Sequence, residues 1–323
     1  MMDTYYKYKV CIRCITYNHA LYIKDAMKGF CEQETRFPFV CIIIDDNSSD
    51  GEQDIITHFI KDNFDCDDSG VLKDGESKDY KLLHARHKKN KNCSFVVYFL
   101  KYNHYQSKKS KRPYFQEWTE QSQYVAMCEG DDYWIDPFKL QRQVDFMDSH
   151  LNHSLCVHAY RKDIMKESGV EALVVKNYNT DIEAIPAKDV LRGTGMFAAT
   201  ASMLYRSEAV NHYPEWAKRA PVGDRPLQLV LLSWGPIGYL KDVMSVYRVG
   251  VTGSWTLRVH RDKINNRMTE KSLVQMYKDF DNWTDGRYHS MVRKGLWRFR
   301  LFIFRITLVN ACRDFIRKVR GIF

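Results

Sequence analysis

Tyr124-Val125-Ala126-Met127-Cys128-Glu129-Gly130-Asp131-Asp132-Tyr133-Trp134 is an apolar run that closes on a cluster of carboxylates. A second stretch repeats the pattern: Val40-Cys41-Ile42-Ile43-Ile44 runs into Asp45-Asp46-Asn47-Ser48-Ser49-Asp50-Gly51. Short apolar runs of this kind read as strands buried on both faces, here with acids at their carboxyl ends. In an α/β sheet that edge faces the crevice where ligands bind. Two acidic clusters side by side can hold a divalent cation and a nucleotide. The pattern points to chemistry on a nucleoside-diphosphate substrate.

Working outward, Lys9–Ile15 is a further apolar strand, followed by the loop Tyr17-Asn18-His19 and helical spacing over Leu21–Phe30. Gln53–Phe64 sets Ile55, Ile56, Phe59 and Ile60 on one helical face. Strand, helix, strand, helix implies a parallel sheet with right-handed crossovers. Residues 65–92 are polar and Gly/Lys-rich, and read as an insertion. Phe95–Leu100 is a third strand, Tyr114–Gln123 a helix and Tyr124–Cys128 a fourth strand. Asp136-Pro137 is a helix start, with Leu140, Val144 and Met147 as its buried stripe. Strands are expected at Ser154–Tyr160, Thr200–Tyr205 and Ile237–Tyr247, with a helix over Pro226–Trp234. The expected fold class is α/β with a mixed, mostly parallel sheet flanked by helices, over residues 1–285. A basic, amphipathic helical tail occupies 286–323.

At 323 residues, 45% hydrophobic, the chain can bury a full core. Nine cysteines, an odd number scattered from Cys11 to Cys312, form no disulfide framework. Cys11 and Cys14 sit inside an apolar strand and read as buried thiols, not metal ligands. Met1-Met2-Asp3-Thr4-Tyr5 lacks the apolar core of a signal peptide, and no run of about 20 apolar residues occurs. A cytoplasmic setting is expected. Charge is concentrated: residues 84–112 hold nine Lys/Arg and no acid, and residues 289–323 hold nine against Asp314 alone. The rest of the chain is net negative, so the two basic stretches are separate features. There is no Walker-type loop, no G-x-G-x-x-G and no nucleic-acid motif.

Cleaving a sugar from a nucleoside diphosphate leaves negative charge on the diphosphate, which a cation held by one or two carboxylates neutralises. Asp131 and Asp132 fit that need. Asp45 or Asp46 can accept a hydrogen bond from a base or ribose, and Tyr17 can stack on a flat base. Asp50 reads equally as a ligand or as a helix cap. Asp224 can take the proton of an attacking hydroxyl, or simply cap the helix at Arg225-Pro226.

The order Ile15-Thr16-Tyr17-Asn18, Ile44-Asp45-Asp46-Asn47-Ser48-Ser49-Asp50-Gly51, Glu129-Gly130-Asp131-Asp132 and Gly223-Asp224 resembles the family-2 glycosyltransferases, over roughly residues 8 to 255. These are inverting enzymes of GT-A fold that commonly build bacterial surface polysaccharides. The resemblance implies Tyr17 on the nucleobase, Asp45 and Asp46 at the donor nucleotide, and Asp131 at the ribose or metal. It implies Asp132 as metal ligand, Asp224 as catalytic base, a uridine-diphosphate sugar donor, and Mn²⁺ or Mg²⁺. Relatives commonly place a His after a Tyr-Arg near the end of the domain; here Tyr247-Arg248 is followed by Val249-Gly250. Val251-Thr252-Gly253-Ser254-Trp255 reads as a Gly-hinged loop over the acceptor side.

Arg86, Lys88, Lys89, Lys91, Lys108, Lys109, Lys111 and Arg112 form a basic region able to meet a diphosphate or a lipid-phosphate acceptor. In the tail, Arg298, Arg305, Arg313 and Arg320 recur at seven- and eight-residue intervals among large apolar residues. That is an interfacial helix facing an anionic membrane, or a terminal helix docked on the domain. The expected acceptor is a saccharide or lipid-linked saccharide. Two rivals differ in class: a catalytically inactive sugar-nucleotide- or membrane-binding module, and a sugar-nucleotide pyrophosphorylase, whose Gly-rich first loop is missing from Ile15–Ala20.

Overall fold

The apolar and amphipathic segments from Tyr8 to Asn63 fold as β1 (Tyr8–Thr16), α1 (Ile23–Cys31), β2 (Phe39–Asp45) and α2 (Glu52–Asn63). The computed structural model describes residues 6–65, 75–192, 197–211, 213–251 and 263–301. Every residue of β2 is buried, as its unbroken apolar sequence requires of a strand covered on both faces. On α1, Ile23, Ala26, Met27 and Phe30 make one buried stripe at helical spacing.

The chain continues through β3 (Phe64–Asp65), β4 (Gly75–Glu76), β5 (Tyr80–His87), β6 (Cys93–Leu100), α3 (Arg112–Glu120), β7 (Ser122–Met127), β8 (Tyr133–Trp134) and α4 (Lys139–Ser149). Then follow β9 (Leu155–Lys166), β10 (Gly169–Val175), α5 (Ala187–Val190), β11 (Leu204–Arg206), α6 (Glu215–Lys218), α7 (Asp224–Trp234) and β12 (Ile237–Val249). Last come α8 (Lys263–Trp283) and α9, helical from 289 through 301.

Among the described residues one sheet of twelve strands runs in the order β3-β5-β6-β2-β1-β7-β11-β9-β12-β8, with β4 added to β5 and β10 to β9. Strands β6, β2, β1 and β7 are mutually parallel, so Thr16, Asp45, Leu100 and Met127 end on one edge. Tyr124 and Ala126 face a core shared with α1, α2 and α4, while Val125 faces the core formed with α7 and α8. The α/β expectation holds.

Four local expectations change, one of them the strand read at Thr200–Tyr205, which is a 3-10 turn over Thr200–Ser202 followed by β11. The stretch read as an insertion contains β5, antiparallel to β6 from Tyr80 to Arg86. Leu83 and Ala85 face one core, Tyr80 and Leu82 pack against another, and the short strands β3 and β4 pair with the outer side of β5. The Asp136-Pro137 helix starts two residues later: Asp136 Oδ1 accepts from the amide of Phe138 at 2.8 Å and closes a turn ahead of α4. The basic region of 84–112 also divides. Lys88, Lys89 and Lys91 precede β6 and so lie on the opposite rim from the carboxylates. Lys108, Lys109, Lys111 and Arg112 follow β6 and lie on the same rim. Lys88 is taken up by the carbonyls ending α2, at 3.1 and 2.9 Å, and Lys91 by Asp65 at 2.7 Å.

Helices α8 and α9 pack on the second core through Met276, Tyr277, Phe280, Val292 and Leu296. A Cβ at Gly295 would lie 2.7 Å from the Leu191 carbonyl, so only glycine allows that approach. No described helix is long and apolar enough to cross a membrane. The loop beyond Val251 and the tail beyond Leu301 lie outside the described residues.

Candidate active site

The loops after β1 and β2 are joined by side chains. Ser48 Oγ accepts from the Asn18 amide at 2.9 Å, Asn18 Oδ1 accepts from the Ser49 amide at 2.8 Å, and Asp50 Oδ2 accepts from the Ala20 amide at 2.9 Å. Asn18 and Asn47 both sit at positive φ, 56° and 62°, a conformation asparagine tolerates better than most residues. Beneath them Glu52, fully buried at the start of α2, accepts from the Thr16 hydroxyl, from the His19 amide at 3.0 Å and from Ser48 Oγ at 2.8 Å. Burial pushes the Glu52 carboxyl upward against those three donors. Asp50 bridges to Ala20 and also accepts from the Glu52 amide at 3.2 Å, so it acts as both loop tie and helix cap.

Asp45 and Asp46 are likewise engaged. Asp45 accepts from the Ser48 amide and from Gln53 Nε2, and burial raises its pKa. Asp46 Oδ1 accepts from the His104 amide at 2.7 Å and Oδ2 from the Tyr105 amide at 3.2 Å, and Lys111 Nζ pairs with Oδ2 at 2.7 Å. Tyr17 stands half-buried on the same rim.

The loop after β7 is built differently. Gly130 passes so close over Thr16 that a Cβ there would lie 2.1 Å from Thr16 Oγ1. The loop's far end is anchored by Trp134, whose Nε1 donates to the Ala201 carbonyl at 3.0 Å and whose ring meets Phe30 at 4.9 Å. Asp132 is buried. Its Oδ1 accepts from the Arg248 amide at 2.8 Å, while Oδ2 has no partner among the described residues. Burial, then the neighbouring charge of Asp131, drive its pKa well upward. Asp131 Oδ2 lies 3.7 Å from His19 Nε2. Glu129 opens to solvent at the rim yet is walled by protein; that enclosure, then Asp131 and Asp224, raise its pKa.

Asp224 is the first residue of α7, half-buried, with no hydrogen-bond partner for its carboxylate among the described residues. The next residue holds the helix in place. Buried Arg225 donates to Tyr277 at 2.6 Å, Gln228 at 3.0 Å and the Val190 carbonyl at 2.6 Å. The charge of Asp224 acts on Glu129, after enclosure and the charge of Asp131.

Three residues gain a place that their motifs did not assign. Glu52 ties the loops after β1 and β2, Glu129 feels the charges of Asp131 and Asp224, and Arg248 locks the β7 loop to β12. The Arg248 guanidinium lies 4.3 Å from the Tyr133 ring and 5.0 Å from that of Tyr22, and it donates to the Asp131 carbonyl at 3.0 Å and to Asp25. Nothing in Tyr247-Arg248-Val249 signals this long-range packing. Among the described residues no three His, Cys, Asp or Glu side chains converge as a metal cage. The unpartnered Oδ2 of Asp132, next to Asp131, nonetheless suits a cation that draws its other ligands from a diphosphate and water.

Residues 11–72 match the family model for glycosyl transferase family 2. That match takes in Tyr17, Asp45, Asp46 and Glu52 and stops short of Asp131. The chain is 26% identical over 253 residues to the uncharacterized protein Rv1520 of Mycobacterium tuberculosis, and equally to Mb1547 of Mycobacterium bovis. The match takes in 75% of this chain and 59% of theirs. Among solved structures it resembles S. aureus TarS 1–349 in complex with UDP, at TM-score 0.50 and 15% identity over 83% of this chain and 65% of that one. It also resembles the mannosyltransferase PcManGT of Pyrobaculum calidifontis, in complex with GDP-Man and Mn²⁺, at TM-score 0.54 and 12% identity over 90% and 70%. The match to glycosyl transferase family 2 is confined to the β1–α2 unit, and over the whole chain the α/β fold is that of the GT-A structures it resembles.

Proposed function

We propose that the protein moves a sugar, with inversion, from a nucleoside-diphosphate donor to a saccharide or lipid-linked saccharide, in bacterial surface-polysaccharide synthesis. The carrying observation is the buried Oδ2 of Asp132, without a partner among the described residues and beside Asp131 at the carboxyl edge of the parallel strands. Tyr17, Asp45 and Asp46 take the donor nucleotide, with Asp46 accepting from the base in exchange for one of its present partners. Asp131 and Asp132 hold Mn²⁺ or Mg²⁺, which when bound offsets charge on the leaving diphosphate. Asp224 accepts the proton of the acceptor hydroxyl. Support for a nucleotide-sugar donor comes from TarS with UDP and PcManGT with GDP-Man; a uridine donor is the preferred reading.

The setting we propose is cytoplasmic, peripheral on the inner face of the plasma membrane, with 1–285 as the catalytic unit and 286–323 as the membrane-facing tail. On α9, Arg293, Lys294, Trp297, Arg298 and Arg300 are exposed, while Val292 and Leu296 are buried on the opposite side. Several cations near an anionic surface, each worth about 1 kcal/mol, suffice to hold a peripheral protein. Cutting the chain after Asp285 would strip two core residues, so a truncation belongs after Leu301.

Incubation with UDP- and GDP-sugars plus Mn²⁺, read by nucleotide release, tests the transfer. Nuclear magnetic resonance of the product then reads the anomeric configuration. Release with one donor, and product of inverted configuration, is the expected result. Retention of configuration removes Asp224 as base. Nucleotide binding without turnover on any donor or acceptor favours the inactive binding module. Binding to anionic liposomes that weakens with salt, and is lost on charge reversal of Arg293, Lys294, Arg298 and Arg300, is expected of the tail.

A further inference from the structure

On the rim opposite the carboxylates, Asn90 ties together the end of α1, the end of β5 and the start of β6. Asn90 Nδ2 donates to the Cys31 carbonyl at 3.0 Å and to the Gln33 carbonyl at 2.8 Å, closing the end of α1. Its amide donates to His87 Nδ1 at 2.8 Å, and its carbonyl accepts from the Cys93 amide at 3.0 Å. One asparagine therefore links the main chain of Cys31 and of Cys93 to the His87 ring. Cys93 is fully buried at the start of β6, and Cys31, partly exposed, packs against the same core. The Cys31 thiol neighbours both Cys93 and His87.

We propose that Cys31 and Cys93 form a redox modification site, in which a peroxide oxidises Cys31 and Cys93 resolves it as a reversible disulfide.

The geometry supplies each part. His87 Nδ1 accepts the amides of Asn90 and Lys89, the latter at 3.3 Å. The neutral ring therefore carries its proton on Nε2, a donor available to a thiolate. Cys31 contrasts with the other described cysteines: its pKa is lowered to about 7, by Cys93 first and with help from His87. Burial raises Cys11, Cys14, Cys41, Cys93, Cys128 and Cys156. A partly exposed, low-pKa thiol beside a second cysteine is the arrangement of a sensing thiol and its resolving partner.

In the first step the Cys31 thiolate attacks one peroxide oxygen and the O–O bond breaks. Sulfur is oxidised to sulfenic acid and the departing hydroxide takes a proton as water. In the second, Cys93 sulfur attacks Cys31 sulfur, the S–OH bond breaks, and the Cys93 proton leaves with that hydroxyl as a second water. Two thiols and one hydrogen peroxide give one disulfide and two waters. A dithiol reductant reverses it by thiol–disulfide exchange. The bridge would staple α1 to β6 at the far end of the strands, leaving the carboxylate edge untouched.

The test uses the full chain, reduced and freed of reductant. Iodoacetamide labelling is followed by mass spectrometry at each cysteine across pH 6 to 10. The titratable groups that act on Cys31 are Cys93 from β6, His87 from β5 and Glu32 beyond α1, with Cys41 of β2 next to the pair. Cys31 should label first with a midpoint near 7, and His87→Phe should move that midpoint toward 9. Hydrogen peroxide should yield a Cys31–Cys93 peptide that dithiothreitol cleaves, with nucleotide affinity unchanged. In Cys93→Ser, dimedone should capture the sulfenic acid at Cys31. A different pairing, overoxidation of Cys31 without the bridge, or a Cys31 midpoint near 9 would overturn the proposal. Should Cys93→Ser not fold, the wild-type labelling profile and peptide map decide alone.

Discussion

The carboxylates after β2 and those after β7 stand on the same edge of one sheet, yet they serve opposite ends. Asp45, Asp46, Asp50 and Glu52 are each hydrogen-bonded to protein, and together they fix the loops of 17–20, 46–51 and 103–105. Asp132 keeps one buried oxygen without a partner, and no hydrogen bond is seen to Asp224 among the described residues. A buried unsatisfied carboxylate oxygen costs stability. Protein architecture gains nothing from leaving it so. The first group ties its loops together; the second includes the carboxylates to which the proposed function assigns a cation and a proton. Acid content alone would not have told them apart, because both loops are acidic and both follow apolar strands.

The sharpest way to break this contrast is Asp132→Asn. The variant keeps the shape and the Arg248 amide contact while removing the charge. Turnover should fall by about 10³-fold or more, since a cation's neutralisation of the leaving group is worth several kcal/mol. Calorimetric titration of UDP with and without Mn²⁺ gives the second reading. If Mn²⁺ strengthens nucleotide binding equally in variant and wild type, Asp132 is not the metal's anchor.

Asp224→Asn comes next, with an expected loss of about 10²–10⁴-fold in kcat and little change in donor affinity. Normal turnover in this variant would reduce Asp224 to a favourable charge at a helix N-terminus, worth about 0.3–1 kcal/mol. On the other side of the contrast, Glu52→Ala should act through structure. It strands the Thr16 hydroxyl, the His19 amide and the Ser48 hydroxyl, at a cost of about 3 kcal/mol read by denaturant unfolding. Donor affinity should drop with it while the catalytic step at saturating donor is preserved. Unchanged stability would mean that water replaces the carboxylate at no cost.

How far the sequence carried the fold follows from where the information is local. Val40–Ile44 and Tyr124–Cys128 are unbroken apolar runs, and both are central strands within a residue or two of their expected ends. Tyr80–His87 escaped because its few apolar residues are interleaved with Lys81, His84, Arg86 and His87, which leaves little apolar signal. Motif order brought out Asp45, Asp46, Asp131, Asp132 and Asp224, but it could not separate satisfied carboxylates from unsatisfied ones. That distinction depends on Lys111, His104 and Arg248, residues 58 to 116 positions away from their partners. The buried Arg248 packing and the Asn90 cluster are likewise products of long-range contacts with no local signature.

The smallest effect is expected behind the β7 loop, and it tests whether the anchoring of that loop needs charge. Lys139 is fully buried at the start of α4, its Nζ 4.0 Å from the Trp134 ring and 2.7 Å from Gln143 Oε1. Burial lowers its pKa to about 7. In the unfolded chain a lysine titrates near 10.4. Between pH 7 and that value the unfolded state holds a proton that the folded state lacks, so stability rises with pH across the window and is flat below it. Lys139→Met keeps the volume against Trp134 and removes the titration. It also strands Gln143 Oε1, which offsets part of the gain. The net expectation is about 1–3 kcal/mol of added stability at pH 7, with kcat and donor affinity unchanged. Urea midpoints for both proteins at pH 7, 8 and 9 should converge as pH rises, because the wild type sheds its penalty and the variant has none to shed. The difference between the two curves isolates Lys139 from the tyrosines and cysteines common to both. A variant less stable than the wild type at pH 7 would show that the ammonium, through Trp134 and Gln143, is itself part of what holds the catalytic loop in place.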